Sequence, residues 1–192
     1  MKNLSYLLII FINIGFSCED REIYPDKMYP QIVITTSMGD IVVELDRNRA
    51  PITVNNFLKY VKADLYTDTI FHRVDENFVI QGGGYDSGLN EITNCGAIFN
   101  ESGNGLRNNR GSIAMARYDD PHSATSQFYF NLADSSSLDP NPKNWGYTVF
   151  GQVIEGVDVL ENISKVNVGY SEKIQSENVP TEGISITRIN VN

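Results

Sequence analysis

Cysteine is nearly absent from this chain. Its 192 residues contain two, Cys18 and Cys95, too few for a disulfide framework or a thiolate zinc site. Histidine is equally scarce. Two histidines, His72 and His122, make a poor zinc site. Positive charge is in deficit too: 15 Lys and Arg stand against 24 Asp and Glu, a net charge of −9. That balance excludes the basic footprint a nucleic-acid binder needs. Long apolar runs are missing as well. Leu4 to Phe16 is interrupted by Ser5, Tyr6, Asn13 and Gly15 and is too short to cross a bilayer as a helix. No internal repeat occurs. With 41% hydrophobic residues, the remainder has the composition of one globular domain with a short appendage.

The appendage is N-terminal. Lys2 followed by the apolar stretch reads as a secretory signal over residues 1–17. Gly15-Phe16-Ser17 supplies small residues at −3 and −1, and Cys18 follows directly. This junction sets the expectation of a lipoprotein-type signal with Cys18 acylated after cleavage. An ordinary signal peptidase cut would instead leave Cys18 free, and a Cys18–Cys95 bridge then becomes possible. A chain starting at Cys18 would carry −10, since Lys2 is the one charge before it. Residues 18–30 are rich in charge, hold Pro25 and Pro30, and lack apolar periodicity, so they read as a tether. Localisation follows: exported, in the periplasm or cell envelope, touching a membrane only through the lipid at Cys18.

Residues 31–192 read as one domain. Gln31–Ser37 and Asp40–Asp46 are β-branched runs joined by Met38-Gly39, the pattern of a hairpin. Pro51 suits a helix start, and Val54, Phe57, Leu58 and Val61 recur at helical spacing. Further strands are predicted at Thr69–Val74, Phe78–Gln81, Ser112–Arg117, Gln127–Asn131, Thr148–Ile154 and Ile184–Val191. Val157, Leu160 and Ile163 mark a second short helix. Gly82 to Gly111 reads as a long loop, with a chain reversal at Gly82-Gly83-Gly84. The fold class that results is mainly β: an eight-stranded antiparallel closed barrel with two capping helices.

Two blocks carry the chemistry. Phe71-His72-Arg73-Val74-Asp75-Glu76-Asn77-Phe78-Val79-Ile80-Gln81-Gly82-Gly83-Gly84 sets one arginine among apolar residues on a strand. Pro121-His122-Ser123-Ala124-Thr125-Ser126-Gln127-Phe128-Tyr129-Phe130 brings a glutamine and aromatics on another. One cation beside an aromatic pocket suits a neutral, apolar ligand with one polar atom to grip. In this order the blocks resemble the cyclophilin family of peptidyl-prolyl cis/trans isomerases, and the Pro-His-Ser-Ala-Thr stretch is similar to its bacterial branch. The resemblance extends over nearly all of residues 31–192.

That resemblance implies a barrel with helices over its ends, and isomerisation of Xaa–Pro bonds in polypeptide clients. It places the catalytic arginine at Arg73, the proline pocket at Phe78, Val79, Tyr129 and Leu138, and a polar rim at Gln81 and Gln127. The peptide-backbone groove falls on Ala116 and Arg117, and an aromatic wall on Tyr147. Neither a metal nor another cofactor is called for, because no bond is made or cut, and the expected state is a monomer. Three positions depart from many relatives. Ser137 stands where cyclosporin-binding members carry tryptophan. Tyr147 replaces a frequent histidine, and Tyr129 replaces the usual phenylalanine, so its hydroxyl needs a partner if buried. His122-Ser123 lacks the setting of a nucleophile elbow, and the glycines at 82–84 are no dinucleotide fingerprint. Adjacent strand residues face opposite ways, so His72 is expected away from the Arg73 groove. The competing readings are a proline-peptide binding module with little turnover, and a holdase chaperone.

Overall fold

The structure is a computed structural model, and residues 23–192 are described. The segment read as a signal, and Cys18, lie outside them. Eight strands close a barrel. In chain order they are β1 (Gln31–Thr36), β2 (Gly39–Leu45), β3 (Thr69–Asp75), β4 (Val79–Asp86), β5 (Ser112–Met115), β6 (Phe128–Asn131), β7 (Val149–Glu155) and β10 (Ile184–Val191). Around the barrel the order is β1-β10-β3-β4-β6-β5-β7-β2, and every pairing is antiparallel. The two remaining strands, β8 (Val168–Ser171) and β9 (Ser176–Pro180), form a separate hairpin that the sequence pattern does not reveal.

Period-two alternation sorts each strand into an inner and an outer row. Ile32, Ile34, Ile41, Val43, Leu45, Ile80, Ile113, Met115, Phe128 and Phe130 point into one continuous core. Two helices, α1 (Pro51–Lys62) and α2 (Val157–Ile163), bury their apolar faces in that core. Phe57 of α1 lies 5.4 Å from Phe128 and 5.4 Å from Phe150, ring centre to ring centre. Burial of one such side chain contributes about 1.5–3 kcal/mol. Pro51 opens α1 without a cap from its own flank. The cap comes from Glu101, whose carboxylate accepts the amides of Ile52 at 3.1 Å and Thr53 at 2.8 Å. This fastens the 86–111 segment onto the helix.

The glycines at 82–84 do not reverse the chain as expected. They continue β4, which runs on to Asp86, and the turn comes at residues 86–90. Close packing is the reason. A Cβ on Gly82 would stand 2.7 Å from the Phe71 ring, and one on Gly83, at φ +74°, 2.7 Å from Phe128.

Residues 23–30, read as part of a tether, are docked. Ile23 is buried in the core. The guanidinium of Arg47, itself buried, donates to the carbonyls of Ile23, Tyr24 and Lys27, the last at 2.6 Å. Cys95 is disulfide-bonded, and its backbone amide donates to Tyr60 Oη at 2.7 Å.

Candidate functional site

The outer rows of five neighbouring strands build the site. Register pairs Arg73 with Gln81, Gln81 with Tyr129, Tyr129 with Ala114, and Ala114 with Val149. These five residues form one row across β3, β4, β6, β5 and β7. The row starts at a cation, passes an amide and ends on apolar side chains. It lies outside the barrel because the partners on either side of each residue, such as Phe128 and Phe130 beside Tyr129, face in.

Arg73 reaches this row through a bulge. Phe71 pairs with Gly82 and Arg73 with Gln81, so β3 holds one residue more than β4 there. Phe71 and Val74, three apart, both enter the barrel core. Without the extra residue, alternation would send them to opposite faces. His72 sits at the bulge. It is buried, with its ring 4.7 Å from Tyr85, whereas Arg73 is half-exposed. Burial pushes the His72 pKa down to about 4; hydrogen bonding to Ile70 backbone and Gln127 opposes this, and the Arg73 charge adds to it. His72 therefore stays neutral and outside the exposed groove, as expected, yet it neighbours Gln127.

A second apolar cluster, separate from the barrel core, gathers where the proline pocket was expected. Val79, Ala114, Tyr129 and Val149 are its buried floor, and Phe78, Leu106, Ala116, Leu138 and Tyr147 surround them. Every expected pocket residue is in this cluster. Ala114, Val149 and Leu106 were not anticipated. Ala114 could have been, since it lies two residues before Ala116 on the same strand face. Tyr147 and Tyr129 meet edge to face with ring centres 6.0 Å apart. Tyr147 is held by its amide, which donates to Leu138 O at 2.9 Å. The Tyr129 hydroxyl has its partner: it donates to Asn108 Oδ1 at 2.8 Å, underneath the pocket. Asn108 in turn donates its side-chain amide to Asp139 Oδ1 at 3.0 Å, next to Leu138. Floor and wall are thus tied together. Burial pushes the Tyr129 phenol well above 10, with Tyr147 and Asp139 adding to the rise.

The polar groups line the approach. Arg73 donates from one Nη to Asp75 at 3.0 Å, and its guanidinium carbon lies 5.8 Å from the Phe78 ring centre. That uses one of five donors, and a half-exposed pair of this kind holds the side chain only weakly. Gln81 Nε2 donates to Gln127 Oε1 at 2.8 Å. Together with Ala116, Arg117, Tyr118, Ser123 and Thr125 they edge a narrow groove. Ala116 N–H pairs with Gln127 O at 2.9 Å. Arg117 is fixed by Nε–H to Gly146 O at 2.9 Å and lies over Tyr147, 4.5 Å from the ring centre. Ser137 is exposed and adds no wall. Among the described residues no group of three or more His, Cys, Asp or Glu could hold a metal ion, and no helix is long and apolar enough to cross a membrane.

The arrangement can seat a small apolar ring and present a guanidinium donor at its edge. Comparison with known proteins bears on the family and the fold. Residues 31–191 match the family model "Cyclophilin type peptidyl-prolyl cis-trans isomerase/CLD". A peptidyl-prolyl cis-trans isomerase of Acinetobacter baylyi is 44% identical over 160 residues, covering 83% of this chain and 84% of the relative. One of Streptomyces antibioticus is 46% identical over 158 residues, covering 81% and 94%. Peptidyl-prolyl cis-trans isomerase B of Escherichia coli is 42% identical over 163 residues, covering 83% and 98%. Among solved structures, a Cryptosporidium parvum cyclophilin-type isomerase superposes with a TM-score of 0.70 at 24% identity, over 85% of this chain and 98% of that one. The same protein crystallised in the presence of the dipeptide Ala-Pro gives 0.69. With its barrel, its pocket and these relatives, the chain belongs to the cyclophilin-type peptidyl-prolyl cis-trans isomerase family.

Proposed function

We propose that this chain speeds rotation about Xaa–Pro bonds in polypeptide clients, with Arg73 stabilising the twisted amide. The observation that carries the reading is the cross-strand row from Arg73 to the Tyr129 pocket. Rotation breaks amide resonance and meets a barrier of about 20 kcal/mol. In the twisted state the prolyl nitrogen turns pyramidal and gains a lone pair. A guanidinium donor aimed at that nitrogen binds it more strongly than it binds either planar isomer, and only such differential binding accelerates the reaction. Phe78, Val79, Tyr129 and Leu138 hold the ring while the preceding carbonyl turns. Gln81 and Gln127 meet the client's backbone or carbonyl. A gain of about 10⁵ in rate corresponds to roughly 7 kcal/mol, within reach of one charge-assisted hydrogen bond plus positioning in a partly dry site.

The test is a proline-isomerisation assay on a short Xaa–Pro peptide. Arg73→Ala should lower kcat/KM about tenfold to a hundredfold, roughly 1.4–2.7 kcal/mol. Arg73→Lys should be impaired too, because an ammonium lacks the planar fork. Binding of a ground-state peptide should fall less than turnover. Equal losses would make Arg73 a plain binding residue, and no loss would favour the binding-module reading.

We also propose that the chain is exported and acts on proteins of the cell envelope as a monomer. The apolar leader supports this, and so does the disulfide at Cys95, since oxidising compartments preserve such bonds. Lipidation of Cys18 and a bridge from Cys18 to Cys95 compete for one sulfur. Intact mass of the mature protein with and without reductant separates them. An acyl-sized increment assigns the anchor, and a gain of two hydrogens on reduction assigns the bridge.

A further inference from the structure

His122 has no part in the proposed mechanism, yet it is the centre of an aromatic ladder. Its ring centre lies 5.2 Å from that of Phe99 and 5.0 Å from that of Trp145, both edge to face. The outer rings are open to solvent, Phe99 at 68% and Trp145 at 54% exposure. Three loops distant in sequence bring these rings together, and two of the three stay largely unburied. Core packing does not account for that.

Hydrogen bonds hold the ladder in place. Asn100 N–H donates to His122 Nδ1 at 3.1 Å, which fixes the ring and puts the neutral imidazole's proton on Nε2. Asn100 Nδ2 donates to Gly146 O at 3.1 Å, and Ser102 Oγ donates to Trp145 O. The Gly146 carbonyl also accepts Arg117 Nε–H. One acceptor therefore joins the Trp145 loop to the groove residue Arg117. His122, at the ladder's centre, is one residue from Ser123, which lines the groove, and Trp145, at one end, is two residues before Tyr147, which packs on the apolar cluster.

We propose that Phe99, His122 and Trp145 extend the client-binding groove and take an aromatic or apolar side chain of the client, some residues away from its proline. Neutral ring edges and faces favour such a side chain, and exposed aromatics contiguous with a binding groove are the usual anchors of recognition. The inference rests on the isomerase reading, because the client is the occupant it names.

Trp145 is the chain's one tryptophan, so its emission reports occupancy directly. The probes are a tetrapeptide substrate and two peptides of about twelve residues, roughly 40 Å when extended. Each long peptide has one Xaa–Pro bond, and its flanking positions carry phenylalanine in one and serine in the other. The phenylalanine peptide should shift Trp145 emission to the blue, and the serine peptide should not. Its kcat/KM should exceed that of the serine peptide about three- to tenfold. Phe99→Ala should abolish that preference and leave tetrapeptide turnover unchanged. Arg73→Ala should lose turnover and keep the emission shift. Wild-type inactivity on the tetrapeptide would sink the isomerase reading alone, since the shift is read without turnover. Equal behaviour of the two long peptides would overturn the ladder, as would an equal loss on all substrates in Phe99→Ala. An emission shift caused by protein concentration alone would assign the patch to a second copy of this chain and overturn the proposal too.

Discussion

The tyrosine beneath the pocket offers a sharp energetic test. Tyr129 and Asn108 are both buried, and the hydroxyl donates to Asn108 Oδ1 at 2.8 Å. Asn131 Nδ2 donates to the same oxygen at 3.2 Å. Tyr129→Phe therefore removes one bond without orphaning the acceptor, and should cost about 0.5–1.5 kcal/mol. Asn108→Ala is harsher. Asn131 keeps Ser112 Oγ at 2.9 Å, and the position-108 amide can still reach Asp139. The Tyr129 hydroxyl, however, is left buried without a partner. With that penalty and the small cavity, the loss should reach about 2–4 kcal/mol. In the Tyr129→Phe background the orphan no longer exists, so Asn108→Ala should cost less there by about 1–3 kcal/mol. Urea unfolding of the four proteins, with m-values compared, measures the cycle. The same penalty in both backgrounds would mean the hydroxyl does not bond Asn108, and the link between pocket floor and Leu138 wall would fall with it.

Other perturbations probe different parts. His72 ordinarily titrates near 6.5 and is held at about 4 by burial, so the unfolded chain binds more protons between these values. Stability should be full above about pH 6.5 and fall by about 3 kcal/mol as pH drops to 4. Urea midpoints against pH check this, and a His72→Phe protein that keeps the same slope would contradict it. Gly83→Ala meets Phe128 and Tyr66 and forces φ +74° on an L-residue, so a loss of about 2–4 kcal/mol is expected from thermal or urea unfolding. Ser137→Trp should tighten inhibition by cyclosporin in the isomerase assay, by adding an aromatic wall beside Leu138. Tight inhibition of the native protein would instead show that the loop alignment is wrong.

Where local rules were enough, the sequence was readable. The β1–β2 hairpin came from alternation interrupted at Met38-Gly39, and α1 from Pro51 with Val54, Phe57 and Leu58 at helical spacing. Phe78, Val79 and Tyr129 were legible because the two motif blocks carry them, whereas Leu138 came from the resemblance alone. Four features were not legible. Val168–Ser171 and Ser176–Pro180 pair as strands with little apolar alternation, so periodicity gave no signal. The glycines at 82–84 look like a turn locally, and only the rings of Phe71 and Phe128 across the sheet explain them as strand. Asn108 supports the pocket from 21 positions away, through a polar contact that no spacing rule encodes. The bulge at His72 is similar, since one extra residue becomes visible only against the register of a partner strand.

The Arg47 clamp sets the length of a leash. By holding the carbonyls of Ile23, Tyr24 and Lys27, it fastens the chain from Ile23 onward to the barrel. If Cys18 carries a lipid in place of the bridge to Cys95, the span from Cys18 to Ile23 reaches at most about 18 Å fully extended. A domain of this size is about 40 Å across. The leash would then be shorter than the body it holds. Such an enzyme would not roam the space above a membrane. It would ride against the surface, with few orientations open to its groove, and meet chains as they emerge from the bilayer rather than those diffusing far from it.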